Sequence, residues 1–462
     1  GRARPARGRA LRLQLWTQIA RTFSLRRRFD EAHAVLDSVA PRLDAAPPVV
    51  RVRYLLERED RLSFAQGTAV ELLLEAGAIR GVRTREGHAF AAQAIVVTAG
   101  TFLRGRIHLG LDTGVSAGRA GDPPSIELSQ DIADHGFTIE RFKTGTPPRI
   151  DGRSIDLSRF PRQDGDPGGY RFSHHERSAP LPQLPCYLAW AEGAVKDVVA
   201  ASLGESALYG GEISGRGPRY CPSIEDKIVK FRDAERHQLF LEPEGLETTE
   251  LYVNGLSTSL PLPVQERMVH AVPGLESARI TRPGYAIEYD YLPPTQLHHS
   301  LESRVIRGLY FAGQVNGTTG YEEAAGQGLM AGLNAARATR DLEPIVLRRD
   351  QAMIGVLIDD LVTRGVDEPY RLFTSRAEYR LLLRQDNALR RLLPLAEAAG
   401  LLDGKALTAA SERLRSEEAV LALAGSVSIT PMAANPILEA AAGRGLTHPT
   451  RIRELARRSG VS

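Results

Sequence analysis

Two cysteines stand in 462 residues, and one sits where a thiol could react. Cys221 lies in GPRYCPSIEDKIVKF, two residues after Arg219 and directly before Pro222. Proline suits the first turn of a helix, which puts the thiol at or next to an N-cap. There the helix end and the guanidinium both favour thiolate. The competing reading is a small packed hydrophobe, as for most buried cysteines. Cys186, in LPCYLAW, has apolar neighbours and no nearby cation, and reads as structural. In RFKTGTPPR, Lys143 and Arg149 are placed for a phosphate or carboxylate, unless the stretch is only a rigid surface turn. GLYFAGQVNGTTGYEEAAGQGLMAGLNAARA reads as a strand at Leu309–Ala312, a loop and a helix from Tyr321. Gly313, Gly317 and Gly320 let backbone approach a ligand, while Ala324, Ala325, Gly328 and Gly332 thin one helix face. The bland alternative is a tight strand-to-helix turn. RLFTSRAEYRLLLRQDNALRRLL carries Arg371, Arg376, Arg380, Arg384, Arg390 and Arg391 against Glu378 and Asp386, with Phe373 and Tyr379 interleaved. It reads as a solvated helix face or an RNA-facing surface. Lys143, Arg149, Arg376 and Arg380 are the phosphate candidates.

These residues need elements to hold them. From Phe64 the chain reads strand, turn at Glu75–Gly77, strand, turn at Glu86–Gly87, strand. The last strand, AIVVTAG, is a continuous apolar run ending in glycine, as buried parallel strands do where they meet a ligand crevice. Residues 101–180 are rich in Gly, Pro and Arg and read as long loops. Residues 181–300 read as an inserted α/β domain, with PSIEDKIVKFRD an amphipathic helix, and the tail from Asp350 reads as helical. Upstream, helical spacing of Leu15, Ile19 and Phe23, then Phe29, Ala32, Leu36 and Val39, predicts a helical hairpin resembling one tetratricopeptide unit. A lone unit cannot bury its own face.

Composition bounds the class. Hydrophobic residues at 42% and charged residues at 25% are globular values. No apolar run approaches membrane-span length, the arginine-rich start lacks the core of a secretory signal, and no Cys/His spacing suggests zinc. A reducing cytoplasm is the expectation. Net charge is +3, but residues 1–60 carry 13 arginines against 7 acids, so the basic balance belongs to the head.

Together, GTFLRGRIHLGLD, GRAGDPPSIELS, RFKTGTPPRID, GPRYCPSIEDKIVKF, FLEPEG, NGLSTSLP, RPGYAIEYDYLPPTQL, FAGQVNGTTGYEEAAGQGLMAGLNAAR and EPYRLFTSRAEYRLLLRQDNA resemble one family over roughly Phe64–Asn387. It is the flavin-dependent tRNA wobble-uridine carboxymethylaminomethyl modification enzymes, the MnmG or GidA family. The resemblance implies an α/β fold: a glutathione-reductase-like FAD domain, an inserted NAD-binding domain and a helical C-terminal part. In these numbers the head is 1–58, the FAD domain 59–180 and 301–349, the insertion 181–300 and the C-terminal region 350–462. It further implies work on tRNA at C5 of uridine-34 with the GTPase partner MnmE, as a homodimer within a heterotetramer. Methylene-tetrahydrofolate would supply carbon, and NADH would reduce FAD. By similarity Ala69, Ser125 and Gln314 fall at flavin contacts. Gly217-Pro218-Arg219-Tyr220-Cys221-Pro222-Ser223-Ile224-Glu225-Asp226-Lys227-Ile228-Val229-Lys230-Phe231 falls on the NAD-binding stretch, and Cys221 on a catalytic cysteine, nucleophile and general base both being open. Two further readings are a folate- and FAD-dependent tRNA uracil-5-methyltransferase, which shares the flavin helix, and a defective chimera that binds tRNA. The family's GGGHAG-like pyrophosphate loop and its CNPA motif, with a second cysteine, have no counterpart in this sequence. The expected FAD domain is therefore incomplete and its flavin affinity weak, and the C-terminal region reads as cut short.

Overall fold

The computed structural model describes residues 55–56, 59, 61–111, 114–166, 183–220, 222–440 and 444–458. The expected helical hairpin of the head, and Cys221 itself, lie outside the described residues. The chain divides into two units, one of residues 1–69 with Arg83–Ala89 and one of Val70–Val82 with Phe90–Ser462. In the first, the Gly87 N–H donates to the Thr84 carbonyl at 2.9 Å, and the Thr68 N–H donates to the Glu86 carboxylate at 3.1 Å. Its own backbone amide, then that of Thr68 and the Thr84 hydroxyl, hold the Glu86 carboxyl below its usual range.

The hairpin from Phe64 onward forms as expected. β1 (Ala69–Glu75) and β2 (Ala78–Thr84) flank a turn at Ala76 (φ 50°) and Gly77 (φ 73°), and β3 (Ala89–Ala91) completes a three-stranded sheet. β4 (Ile95–Val97) is the AIVVTAG run. The stretch expected as long loops instead holds β5 (Arg106–His108), β6 (Val115–Ser116), α1 (Glu127–Asp134), β7 (Glu140–Thr146), β8 (Arg149–Asp151) and β9 (Arg162–Gln163). KTGTPP is thus the end of β7 and its turn into β8. Its Gly and Pro disguise a strand whose Phe142 and Lys143 are both buried.

β8 and β9 open a six-stranded antiparallel sheet with β10 (Cys186–Ala191), β11 (His237–Pro243), β12 (Glu250–Asn254) and β13 (Ile280–Arg282), in the order β13-β8-β12-β11-β10-β9. Three helices, α2 (Gly193–Ala201), α3 (Ile224–Lys230) and α4 (Leu262–His270), supply Val195, Val199, Ile224, Ile228, Val264 and Met268 to one core with Leu239, Leu241 and Val253. Each such side chain contributes about 1.5–3 kcal/mol by leaving water. This layer runs from Arg149 to Arg282, earlier at both ends than the 181–300 expected.

β14 (Tyr285–Tyr291) returns to a four-stranded sheet, β6-β5-β14-β7, paired with β7 from Tyr285↔Thr146 to Tyr291↔Glu140. Period-two alternation gives it two characters. One face carries Tyr289 and Tyr291, with Phe142 stacked on Tyr291 at 3.6 Å. The other carries the buried acids Glu288 and Asp290, met by Arg141 and His108. β15 (Leu309–Phe311) pairs in parallel with β4 and leads into α5 (Tyr321–Ala338) and α6 (Met353–Arg364). The helix contact differs from the expected thin face. Gly326 packs against Ile354 and Leu357, while nothing lies within 4 Å of a Cβ built on Gly328 or Gly332.

Gly355, in α6, is a glycine for a reason opposite to propensity. Alanine usually stabilises a helix interior by about 1 kcal/mol over glycine. Here an added Cβ would stand 2.3 Å from the Arg348 carbonyl oxygen, in backbone that cannot swing aside. Gly355→Ala is therefore expected to cost about 1–3 kcal/mol, read as a lower urea midpoint; an unchanged midpoint would show that the turn at Arg348 gives way.

The tail is helical in α7 (Ala388–Ala398), α8 (Gly404–Ser426), α9 (Pro431–Ala440) and α10 (Ile452–Leu455), with a short β16–β17 pair at Ser428–Ile429 and Thr450–Arg451. Residues 365–387 are not helical apart from one 3-10 turn at Thr374–Arg376, which corrects the expectation of helix from Asp350 onward. Side-chain anchoring overrides propensity here. Glu323 accepts from the Arg371 Nε and the Leu372 N–H, and Tyr370 donates its hydroxyl to Asp360 at 2.7 Å.

Candidate functional site

Parallel strands β4 and β15 end side by side, and each turns on a left-handed glycine, Gly100 (φ 56°) and Gly313 (φ 82°). Crevices at the carboxyl ends of parallel strands are where α/β folds take ligands. The turn Gly100–Phe102 lies between two of the expected flavin contacts. A Cβ on Gly100 would stand 3.1 Å from Gln314 Oε1, and the Ser125 N–H donates to the Phe102 carbonyl at 2.8 Å. Ser125 and Gln314 are thus brought to one turn; Ala69 begins β1 at the edge of the other unit.

The sequence reading missed what holds this loop. Gln327, fully buried on α5, accepts from the Gly313 N–H and the Asn316 amide and donates to the Thr318 hydroxyl. The signal was available: a glutamine between glycines on an otherwise small, apolar helix face. Asn316 Oδ1 is buried with no partner among the described residues. Tyr289 turns its phenol toward Gln314, and burial raises that phenol far above its usual pKa. Glycine-opened backbone, two carboxamides and an unmet carbonyl oxygen fit a flat heterocycle carrying both N–H and C=O groups, as an isoalloxazine does.

The segment before Cys221 is tied at several points. The Gly215 N–H donates to Glu288 at 2.8 Å and the Lys143 N–H to the Arg216 carbonyl at 3.0 Å. Arg219 pairs with Glu368 at 3.0 Å, and the Tyr220 ring meets Phe373 edge-on at 4.4 Å. The helix after it starts later than expected. Ser223, not Cys221 or Pro222, is the N-cap of α3, its hydroxyl accepting the Asp226 N–H at 3.2 Å. A hydroxyl is a far better cap than a thiol, and Pro222 is left outside the helix. Glu225 and Asp226 already answer the positive helix end, and Glu368 answers Arg219. The two charges invoked for the thiol are therefore both matched. Cys186 is half-buried, and burial with the nearby Glu242 pushes its thiol up.

The expected phosphate contacts separate. Lys143 is buried and Arg149 is committed to Glu244 (2.8 Å), the Pro147 carbonyl and the Tyr252 ring, which corrects both. Arg376 lies over the Tyr370 ring at 4.3 Å, while Arg380 is exposed. In the same run Arg371, Arg384 and Arg390 pair with Glu323, Asp386 and Glu418. No described helix is long and apolar enough to cross a membrane.

The sequence pattern of the family described as glucose inhibited division protein A matches residues 44–343. A Geobacter sulfurreducens protein named tRNA uridine 5-carboxymethylaminomethyl modification enzyme MnmG is 49% identical over 414 residues, covering 89% of this chain and 66% of its own. The Thermodesulfovibrio yellowstonii protein of that name is 53% identical over 354 residues, 77% of this chain and 57% of its own. The chain thus spans just under two thirds, or less, of the curated relatives it matches. Aquifex aeolicus GidA, as a solved structure, superposes with a TM-score of 0.77 at 48% identity, covering 82% of this chain and 65% of that one. Its mixed α/β fold is the fold of this protein. By pattern, identity and structure, the chain belongs to the glucose inhibited division protein A family.

Proposed function

We propose that this protein acts in flavin-dependent modification of C5 of the wobble uridine of tRNA. The observation that carries the reading is the paired strand ends, where Gly100 and Gly313 open the backbone and Ser125 and Gln314 converge on one turn. The family membership supports it, and the relatives' printed names give the substrate class. When bound, FAD supplies the redox exchange, with NADH as the electron source and methylene-tetrahydrofolate as the carbon donor. Ser125, Gln314 and Asn316 would orient the ring end. The run Gly217–Phe231 is the proposed nicotinamide-nucleotide stretch, within a domain whose sheet spans Arg149–Arg282. The GTPase MnmE is the proposed partner, the protein acting as a dimer in the cytoplasm.

Cys221 has the central chemical role. Uracil C5 is a weak nucleophile, and a thiolate adding at C6 turns the ring into an enolate that attacks through C5. The test is mass spectrometry of position 34 in tRNA from a bacterium lacking its own enzyme of this family, supplied with this chain. The C5 substituent should return with the chain and be lost with Cys221→Ser; tRNA unchanged by the unsubstituted chain would overturn the reading. Gln314→Ala should weaken binding of added FAD about tenfold, as loss of one polar contact does, with an unchanged melting curve. Equal affinity in a fluorescence titration would remove Gln314 from the flavin site.

A further inference from the structure

Tyr220 is held open to solvent on anchored backbone. It is 55% exposed, and its ring meets Phe373 edge-on, with centroids 4.4 Å apart and planes at 65°. Single exposed apolar side chains are ordinary on a protein surface. Here two rings are brought together from segments distant in sequence, and each segment is tied down. Pro218 is buried, the Lys143 N–H donates to the Arg216 carbonyl at 3.0 Å and the Gly215 N–H to Glu288 at 2.8 Å. Around Phe373, the Leu372 N–H donates to Glu323 at 2.9 Å and the Arg376 N–H to the Phe373 carbonyl at 3.0 Å. The rings are therefore positioned before anything binds them.

Cations accompany the pair, and little holds them. Arg219 pairs with Glu368 at 3.0 Å, and Arg216 approaches Asp367 only to 3.8 Å; both guanidiniums are exposed. Exposed pairs of this kind contribute little, so exchanging the carboxylate for a phosphate costs little. Arg376 lies over the Tyr370 ring at 4.3 Å and, among the described residues, meets no carboxylate. Across 216–220 and 367–380 the arginines 216, 219, 371, 376 and 380 outnumber the acids 367, 368 and 378. Exposed rings set among a surplus of arginines suit single-stranded RNA, whose bases stack on rings while its phosphates pair with cations.

We propose that Tyr220 and Phe373 form a stacking platform for an unpaired base of the anticodon loop, with Arg376 on a neighbouring phosphate. The assignment rests on the proposed function and deepens it, by giving this chain a means of telling the loop from the stem that carries it. Paired bases stay stacked on one another and offer a ring no free face, whereas an unpaired base can be splayed out onto one. Every base has such a face. The platform therefore selects unpaired structure rather than sequence, and the choice of uridine falls to other contacts.

Affinity for two RNAs decides it: a hairpin with an anticodon-type loop, and a fully paired duplex of the same stem. Tyr220→Leu keeps apolar bulk against Phe373 but has no ring face. It should weaken hairpin binding about thirtyfold and leave duplex binding unchanged. It should also keep the salt dependence of hairpin affinity, since no phosphate contact is lost. Tyr220→Trp should bind the hairpin as the unsubstituted protein does. Arg376→Gln should instead lower the salt slope by about one, and an unchanged slope would remove Arg376 from the site. The platform is overturned by unchanged hairpin affinity in Tyr220→Leu, by an equal loss on hairpin and duplex, or by an unsubstituted protein that does not prefer the hairpin. If the hairpin results hold while position 34 stays unmodified in cells supplied with this chain, the proposed function fails and the platform stands as an RNA site. If position 34 is modified but Tyr220→Leu binds normally, only the platform fails.

Discussion

Replacing Arg349 with alanine is expected to destabilise the protein by about 3–5 kcal/mol, the range seen when one partner of a buried ion pair is removed. The guanidinium is four-fifths buried and bridges Asp360 (2.7 Å), Asp359 (3.0 Å), Glu378 (2.7 Å) and the Arg376 carbonyl (3.1 Å). These partners raise its pKa well above the ordinary arginine value, Glu378 first among them. Asp360 sets the cost. It is 2% exposed, and without Arg349 it would keep only the Tyr370 hydroxyl and a 3.5 Å approach of Arg364. Arg349→Lys should fall between, since an ammonium cannot fork among three carboxylates. Urea titrations of the three proteins decide it; a midpoint within error for Arg349→Ala would mean that Arg364 takes over.

Acid should release the second large contribution. Burial pushes the Glu288 carboxyl up, but His108, the Gly215 amide, Arg141 and the Ser214 amide together hold it at about 2. Its side chain is 5% exposed, so solvent screens these contacts little. A carboxyl depressed on folding contributes stability that is present above its unfolded pKa and lost as pH falls through the folded one. The window runs from about pH 4.5 down to about pH 2, and the contribution is about 3 kcal/mol. Glu288→Gln should be less stable by roughly that amount at pH 6, with the gap nearly closed at pH 2. A gap constant across that range would assign the loss to packing rather than charge.

Much of the part built on β1–β4, β15 and α5 was legible in the sequence because local pattern and tertiary role agree there. The hairpin from Phe64, the apolar β4 and the strand-loop-helix of Leu309–Ala338 are written in alternation, apolar runs and glycine. What escaped was decided by partners distant in sequence. β8 and β9 are too short to show a period and are strands because β12 and β10 pair with them. The basic run after Tyr370 has helical spacing but is held out of an α-helix by Glu323 and Arg349. At the candidate site, Gln314 and Ser125 were legible only through resemblance. Lys143 was visible as a cation, but its burial depends on Gly217 and Asp226, more than seventy residues away. Ser223 was the stronger cap by chemistry, and Pro222 drew attention from it.

The stretch Asp367–Phe373 touches both halves of the proposed chemistry. The Tyr370 N–H donates to the Gly317 carbonyl at 2.9 Å, and the Leu372 N–H reaches Glu323 at the start of α5. Glu368 and Phe373 hold Arg219 and Tyr220. Two ligands that each bias one shared element are thermodynamically coupled, and the coupling is reciprocal. Whatever factor an occupied Gly313–Gly317 loop applies to ligand affinity at the Arg216–Tyr220 segment, occupancy of that segment returns to the loop. Loosening this stretch, as Phe373→Ala would, should bring that factor toward one while leaving each separate affinity measurable.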